Sequence, residues 1–127
     1  MSKRTTVVVS ALVGAVLGAA GVQALHAQAK PPAYVVGEID VRDGEVFAKE
    51  YLPTASKTIR DGGGKYIVGG GKSVAFYGDP PKRIAIMAFE SLEKAEATFN
   101  SEAYRTAKAA GDKVATFRIY AVEGIPQ

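Results

Sequence analysis

Apolar and polar residues alternate along two stretches of the chain in the pattern of half-buried β-strands. In the first stretch, Ala33 to Val41, an apolar or glycine set alternates with a set that includes two carboxylates and a phenol. The second stretch, Val114 to Val122, alternates in the same way and carries Arg118 and Tyr120 in one of its sets. Successive side chains of a strand point to opposite faces of a sheet, so each strand is predicted to present one apolar and one partly polar face.

A third strand is predicted at the apolar run from Ile84 to Phe89, which is too short for a helix. The spacing of apolar residues becomes helical at Ser91, a residue type that commonly caps helices. Asn100-Ser101 interrupts this helix, and Glu102 to Ala110 resumes it. Tyr104, in the second half, is expected to anchor the core or an interface, with its hydroxyl on a backbone group.

Another helix is predicted to begin near Gly44, after Asp43 as its cap. Pro53 falls within it and should either kink it or begin a second segment. Gly62-Gly63-Gly64 should end it, with one glycine in the left-handed region. The side chains expected on its buried face are Val46, Phe47, Leu52, Ala55 and Ile59.

A glycine-rich segment follows, with a short strand predicted from Lys65 to Val68. Val74 to Tyr77 is expected to continue that strand or to form a hairpin partner. Gly71-Lys72-Ser73 resembles the end of a phosphate-binding P-loop. However, Tyr66 stands where the motif needs glycine, and no helix is predicted to follow, so a glycine bulge or turn is the preferred interpretation.

The predicted order is β-α-β-β-α-β, which indicates an α+β ferredoxin-like fold with an antiparallel sheet. Right-handed crossovers place both helical regions on one face of the sheet. The other face is left without a helix, and the expected strand order is 4-1-3-2.

Residues 1–29 have the features of a cleavable signal peptide. Lys3 and Arg4 precede the uncharged run from Thr5 to Leu25, and Ala27-Gln28-Ala29 provides a small-x-small cleavage site. We therefore expect residues 30–127 to form a single domain outside the cytoplasm, either periplasmic or secreted. The alternative is an uncleaved anchor, since the uncharged run is long enough to span a membrane.

Charge and composition exclude several classes of function for the processed chain. Loss of Lys3 and Arg4 lowers the formal net charge of +3 by two, and the longest remaining basic run is Lys82-Arg83, so nucleic-acid binding is not expected. There is no cysteine, and the one histidine, His26, lies in the predicted signal. Catalysis by histidine or cysteine and the usual zinc and copper sites are thereby excluded, and no metal or cofactor is predicted.

The predicted open face contains the candidate binding residues. With strand order 4-1-3-2, Glu38 and Asp40 should lie near Arg118 and Tyr120, and Tyr66, on the second strand, is a further candidate for that face. Three interpretations stay open: a structural ion pair between Glu38 and Arg118 at a dimer interface, a pocket for a small polar ligand, and a catalytic site.

The chain resembles the domain-of-unknown-function family 1330. The resemblance rests on FESLEKAEATFNSEAYRTAK, in which a strand ends in Phe-x-Ser and a helix closes on Ser-x-x-Tyr, and on AYVVGEIDV and KYIVGGG. It covers roughly Ala33 to Gly124, although Phe99 stands where Trp or Tyr is common and Ala103 where Pro is common. The resemblance implies a dimeric α/β barrel, in which two chains pack their open sheet faces together.

These observations leave two classes of function. The preferred one is an exported, non-catalytic homodimer that binds a small molecule or a partner in its dimer cleft. The alternative is a cofactor-independent enzyme that acts on a small organic substrate.

Overall fold

The computed structural model describes residues 30–126, so the predicted signal peptide lies outside the described residues. The chain forms four strands: β1 Ala33–Val41, β2 Lys65–Gly69, β3 Arg83–Phe89 and β4 Ala115–Glu123. Its helices are α1 Gly44–Val46, α2 Leu52–Asp61, α3 Leu92–Phe99 and α4 Glu102–Asp112. A π-helical turn, Phe47–Tyr51, joins α1 to α2.

The strands form one antiparallel sheet in the order β2-β3-β1-β4. This is the predicted order read from the opposite edge, and the α+β ferredoxin-like fold is confirmed. The two long strands predicted from alternation, β1 and β4, are hydrogen-bonded neighbours. Residues that alternation assigned to one face of each strand therefore lie side by side.

Short polar side chains set the starts of the helices, as predicted for Asp43 and Ser91, and Ser101 is a third cap that was not predicted. Asp43 accepts a hydrogen bond from the Val46 amide at 3.2 Å, and Ser91 accepts one from the Lys94 amide at 3.3 Å. Ser101 accepts one from Tyr104 at 3.1 Å and begins α4 directly after the break that ends α3. Each cap satisfies an amide that the helix itself leaves without a partner.

The first helical region is divided in two at the π-helical turn. Pro53 is the second residue of α2, a position in the first turn where proline is tolerated. A second segment therefore begins here, which was one of the two predicted alternatives, but it starts at Leu52 and not at Pro53 itself. Gly63 takes a φ of 94° after α2 ends, which confirms a left-handed glycine at this position.

The hydrophobic core lies between one face of the sheet and the helices. Its members come from every strand except β2, from the π-helical turn and from α2, α3 and α4; they are Val35, Ile39, Phe47, Tyr51, Ala55, Ile59, Ala85, Met87, Phe89, Ala95, Tyr104, Ala107 and Ala115. In the described chain, no helix covers the opposite sheet face. That face is open, as the crossover argument predicts.

The segment between β2 and β3 differs from its prediction. Val74 to Tyr77 forms no strand, and Val74, Phe76 and Tyr77 are 78%, 87% and 100% exposed. The amide of Gly70 still bonds the Ile84 carbonyl, but a φ of 78° then directs the chain away from the sheet. Alternating apolar residues form a strand only beside a partner strand, and the pairing of β2 with β3 ends at Gly69, before this segment begins.

Candidate functional site

The open sheet face carries most of the predicted polar cluster. Across the β1–β4 pair, Glu38 lies directly opposite Arg118, and Val36 lies opposite Tyr120. Residues directly opposite each other in an antiparallel pair share a face. These four side chains therefore form one surface, and the predicted juxtaposition of Glu38, Arg118 and Tyr120 is confirmed.

Glu38 is held more closely by the tyrosine than by the arginine. The Tyr120 hydroxyl donates to Glu38 Oε2 at 2.7 Å, whereas Arg118 Nη1 lies 4.0 Å from Oε1. The Arg118 side chain is 76% exposed and that of Glu38 22%. An ion pair this long and this exposed contributes at most about 1 kcal/mol to the stability of a single chain.

The contact with Glu38 makes ionisation of the Tyr120 phenol less favourable. The pKa of Tyr120 is raised, chiefly because its hydroxyl donates to the Glu38 carboxylate. Ionisation would remove that donor and place a phenolate beside a carboxylate. Tyr120 is therefore a fixed hydrogen-bond donor at neutral pH, and it positions the carboxylate of Glu38 on the open face.

Asp40 lies at the end of the same face and has a backbone partner. Its Oδ1 accepts a hydrogen bond from the Lys82 amide at 3.3 Å, which links the end of β1 to the start of β3. A shallow cavity of about 310 Å³ borders this point; its lining residues are Glu38, Asp40, Asp79, Pro80, Pro81, Thr116 and Arg118. The cavity thus collects three carboxylates and one guanidinium at the edge of the open face.

Tyr66 does not join this cluster, contrary to the expectation from the sequence. It lies opposite Met87, a buried core residue, and packs against the core on the helix-covered face. A β-bulge separates it from Val68, which lies opposite Ile86 on the open face. A bulge changes which side chains share a face, and the short sequence of β2 gives no sign of one.

Beneath the helices, Tyr66 borders a second polar group that includes a buried tyrosine pair. The hydroxyls of Tyr51 and Tyr104 are 2.6 Å apart and hydrogen-bonded, with their rings edge to face. Burial raises the pKa of Tyr51, and it also raises the pKa of Tyr104 to about 12 from the usual 10.0. Tyr104 is a core residue as predicted, but its hydroxyl bonds a side chain and not the backbone.

Arg83 lies beside these tyrosines. It is opposite Ile39 in the β1–β3 pair, so its side chain extends over the helix-covered face. Its guanidinium carbon is 5.6 Å from the centre of the Phe47 ring, which is a cation–π distance. Its Nε atom is buried and has no hydrogen-bond partner among residues 30–126.

Sequence reasoning missed both Tyr51 and Arg83. Tyr51 stands four residues after Phe47 and four before Ala55, so helical spacing alone was a sufficient signal to place it in the core. Arg83 gave a weaker signal, because an arginine before an apolar run is normally a solvated strand end. Once β3 is extended to Arg83, alternation places it on the face of Ala85 and Met87, but a run that is apolar at every position does not show which of its faces is buried.

Two further findings concern residues 30–126. No group of three or more His, Cys, Asp or Glu side chains there is arranged to hold a metal ion. No helix in the same range is long and apolar enough to cross a membrane.

With this geometry established, comparison with known proteins gives the family. The profile of the family described as "Domain of unknown function (DUF1330)" matches residues 32–125. The chain belongs to this family. No match is found among curated proteins, so the DUF1330 assignment brings no characterised activity with it.

Solved structures support the fold of this DUF1330 chain. It is similar to the RPA0582 protein of unknown function from Rhodopseudomonas palustris, with 14% identity and a TM-score of 0.60 over 76% of this chain and 84% of that one. Methylated RPA0582 gives 17% identity and a TM-score of 0.59 over 76% and 82%. A Bacteroides thetaiotaomicron protein of unknown function, described as a possible oxidoreductase, has 8% sequence identity and a TM-score of 0.50. The match covers 76% of this chain and 100% of that one. At these identities the likeness shows the fold alone.

Proposed function

We propose that this DUF1330 domain is an exported homodimer that binds a small molecule or a partner between two open sheet faces. The observation that carries the proposal is the apolar character of the face that the helices leave uncovered. Its apolar and aromatic members are Tyr34, Val36, Val68, Ile84, Ile86, Ala88, Tyr120 and Val122. Tyr120 and Val122 are 47% and 53% exposed in the single chain.

An uncovered apolar sheet face favours association with a second copy. Monomers rarely expose large continuous apolar patches, and a face made from one sheet is able to pack against its own symmetry mate. Such packing would also enclose Glu38, Tyr120 and Arg118 between the sheets. The hydrogen bond and ion pair there would strengthen as water is excluded.

The polar cluster would then give the dimer its recognition chemistry. The Glu38 carboxylate, held by Tyr120, offers a hydrogen-bond acceptor, and the largely exposed Arg118 guanidinium offers several donors. Both groups lie among the apolar residues of the open face. Small-molecule sites combine a mainly apolar lining with a few convergent polar groups of this kind.

A matched pair of lysine substitutions tests the dimer. Ile86→Lys places a charge at the centre of the open face, whereas Ala109→Lys adds the same charge at an exposed position on α4. We expect Ile86→Lys to elute as a monomer and Ala109→Lys to keep the mass of the wild type, in light-scattering chromatography. Equal masses for both variants would contradict the proposed interface.

Export rests on Lys3, Arg4 and the Ala27-Gln28-Ala29 site. We expect the mature protein to begin at Lys30, as measured by its intact mass after isolation from the periplasm or the medium. A retained Met1 terminus that only detergent extracts would indicate a membrane anchor instead.

A further inference from the structure

The tyrosines and Arg83 line a narrow cavity between the sheet and the helices. It is separate from the open face, because Arg83 and Tyr66 lie opposite Ile39 and Met87, which are both buried under the helices. Its volume is about 20 Å³, which is space for about one water molecule in this conformation.

Arg83 brings a positive charge to this cavity without a negative partner. Within residues 30–126 it takes part in no ion pair, and no acidic residue lines the cavity. A guanidinium is always protonated and offers five N–H donors, and here the buried Nε–H is unused. Arg83 as a residue is only partly buried, but a buried N–H without an acceptor is costly. Because the donor belongs to a charged group, an anionic oxygen is the acceptor that matches it best.

The tyrosine pair leaves a second donor unused. Two hydroxyl groups carry two protons, but Tyr51 and Tyr104 share a single hydrogen bond in which either oxygen is able to donate. Neither hydroxyl has another hydrogen-bond partner among the described residues. The cavity therefore has donors in excess and no carboxylate of its own.

The remaining walls are apolar, and one of them lies beside an irregular helix. Met87, Phe99 and Ile119 form part of the lining. Tyr51 ends the π-helical turn Phe47–Tyr51, and π-helical turns are rare and are frequent at functional sites.

We propose that this cavity binds a small organic monocarboxylate with a short apolar tail. The carboxylate lies between the Arg83 guanidinium and the hydroxyls of the tyrosine pair, and the tail packs on Met87 and Phe99. Because the present volume admits about one water, binding requires the walls of the cavity to move apart. The site lies within one protomer and does not depend on the proposed dimer.

NMR titration of the wild-type chain tests the proposal directly, because the Arg83 Nε–H gives its own ¹H–¹⁵N signal. We expect butyrate, at millimolar concentration, to shift that signal together with the amides of Phe47–Tyr51. Butyramide has the same shape without the charge and should leave them unchanged. Equal shifts with butyramide or with inorganic phosphate would overturn the proposal. So would the absence of a saturable shift with every monocarboxylate of two to eight carbon atoms.

Three variants localise the binding. Arg83→Met should weaken butyrate binding about ten- to a hundredfold, the loss expected for a hydrogen bond to a charged group. Tyr51→Phe should weaken it less, and it serves as the second test if Arg83→Met does not fold. Arg105→Met removes an exposed arginine of α4 and should bind as the wild type does. Loss of binding in Arg105→Met, or binding kept in both Arg83→Met and Tyr51→Phe, would overturn the proposal.

Discussion

The buried tyrosine pair should make the stability of the domain fall steeply in alkaline solution. Tyr51 and Tyr104 are 5% and 2% exposed, and burial raises the pKa of each above the usual 10.0, that of Tyr104 to about 12. The folded chain therefore keeps both phenols neutral, while the unfolded chain ionises them from about pH 10. Their contribution to stability is complete below pH 10 and is lost as the pH rises through the folded values.

The size of this loss follows from the linkage between proton binding and folding. Each tyrosine that stays protonated only in the folded state lowers the free energy of unfolding by about 1.4 kcal/mol per pH unit. Between pH 9 and pH 11, Tyr51 and Tyr104 together should remove about 3 kcal/mol. That is a large part of the stability of a small domain, which is typically about 5–15 kcal/mol.

Guanidinium unfolding followed by circular dichroism, at several pH values, measures this loss. Since lysines also titrate in this range, the informative quantity is the difference between the wild type and the Tyr51→Phe/Tyr104→Phe double variant. The double variant removes both hydroxyls together, so it should be within about 1 kcal/mol of the wild type at pH 8. It should then lose about 3 kcal/mol less than the wild type by pH 11.

A matched control uses a tyrosine with no burial. Tyr77 is fully exposed, so Tyr77→Phe should follow the wild-type curve throughout. If the wild type and the double variant lose stability in parallel between pH 9 and pH 11, the reasoning about the buried pair is refuted.

Two other predictions concern packing and the open face. A methyl group added by Gly111→Ala would lie 2.7 Å from the Tyr51 ring. This change should therefore lower the free energy of unfolding, measured with a chemical denaturant, by about 1–3 kcal/mol. In the control Gly44→Ala the added methyl group meets open space, so the free energy of unfolding should not fall. Glu38→Gln and Arg118→Met should each lower the melting temperature, and the double variant should recover part of the loss. If the proposed dimer encloses the pair, the recovery should be larger at high protein concentration; fully additive losses would mean that the two side chains do not interact.

Much of the fold follows from local patterns in the sequence. Alternation in β1 and β4 identifies both faces of the sheet, and the caps at Asp43, Ser91 and Ser101 fix where helices begin. These features depend on a few neighbouring residues, so periodicity and capping chemistry are sufficient to predict them.

The open-face cluster was predictable for the same reason. Once β1 and β4 are known to be antiparallel neighbours, alternation alone places Glu38 and Arg118 on one face. Whether Glu38 contacts Tyr120 or Arg118 more closely depends on side-chain rotamers and distances, which the sequence does not provide.

Features that depend on register or on distant partners could not be predicted. The bulge beside Tyr66 and the pairing of Arg83 with Ile39 are set by how β3 aligns with its neighbours. The segment around Phe76 alternates as a strand does, but it has no partner strand beyond Gly70. Alternation predicts which faces a strand would have, and it does not predict whether a neighbouring strand is present.

Sedimentation equilibrium of the chain from Lys30 to Gln127 shows whether two chains associate through their open sheet faces. We expect a single species with twice the mass of one chain at micromolar concentration, because packing against a second copy would cover the apolar residues of β1, β3 and β4 on that face. A species with the mass of one chain, unchanged as the concentration rises through the micromolar range, would contradict it.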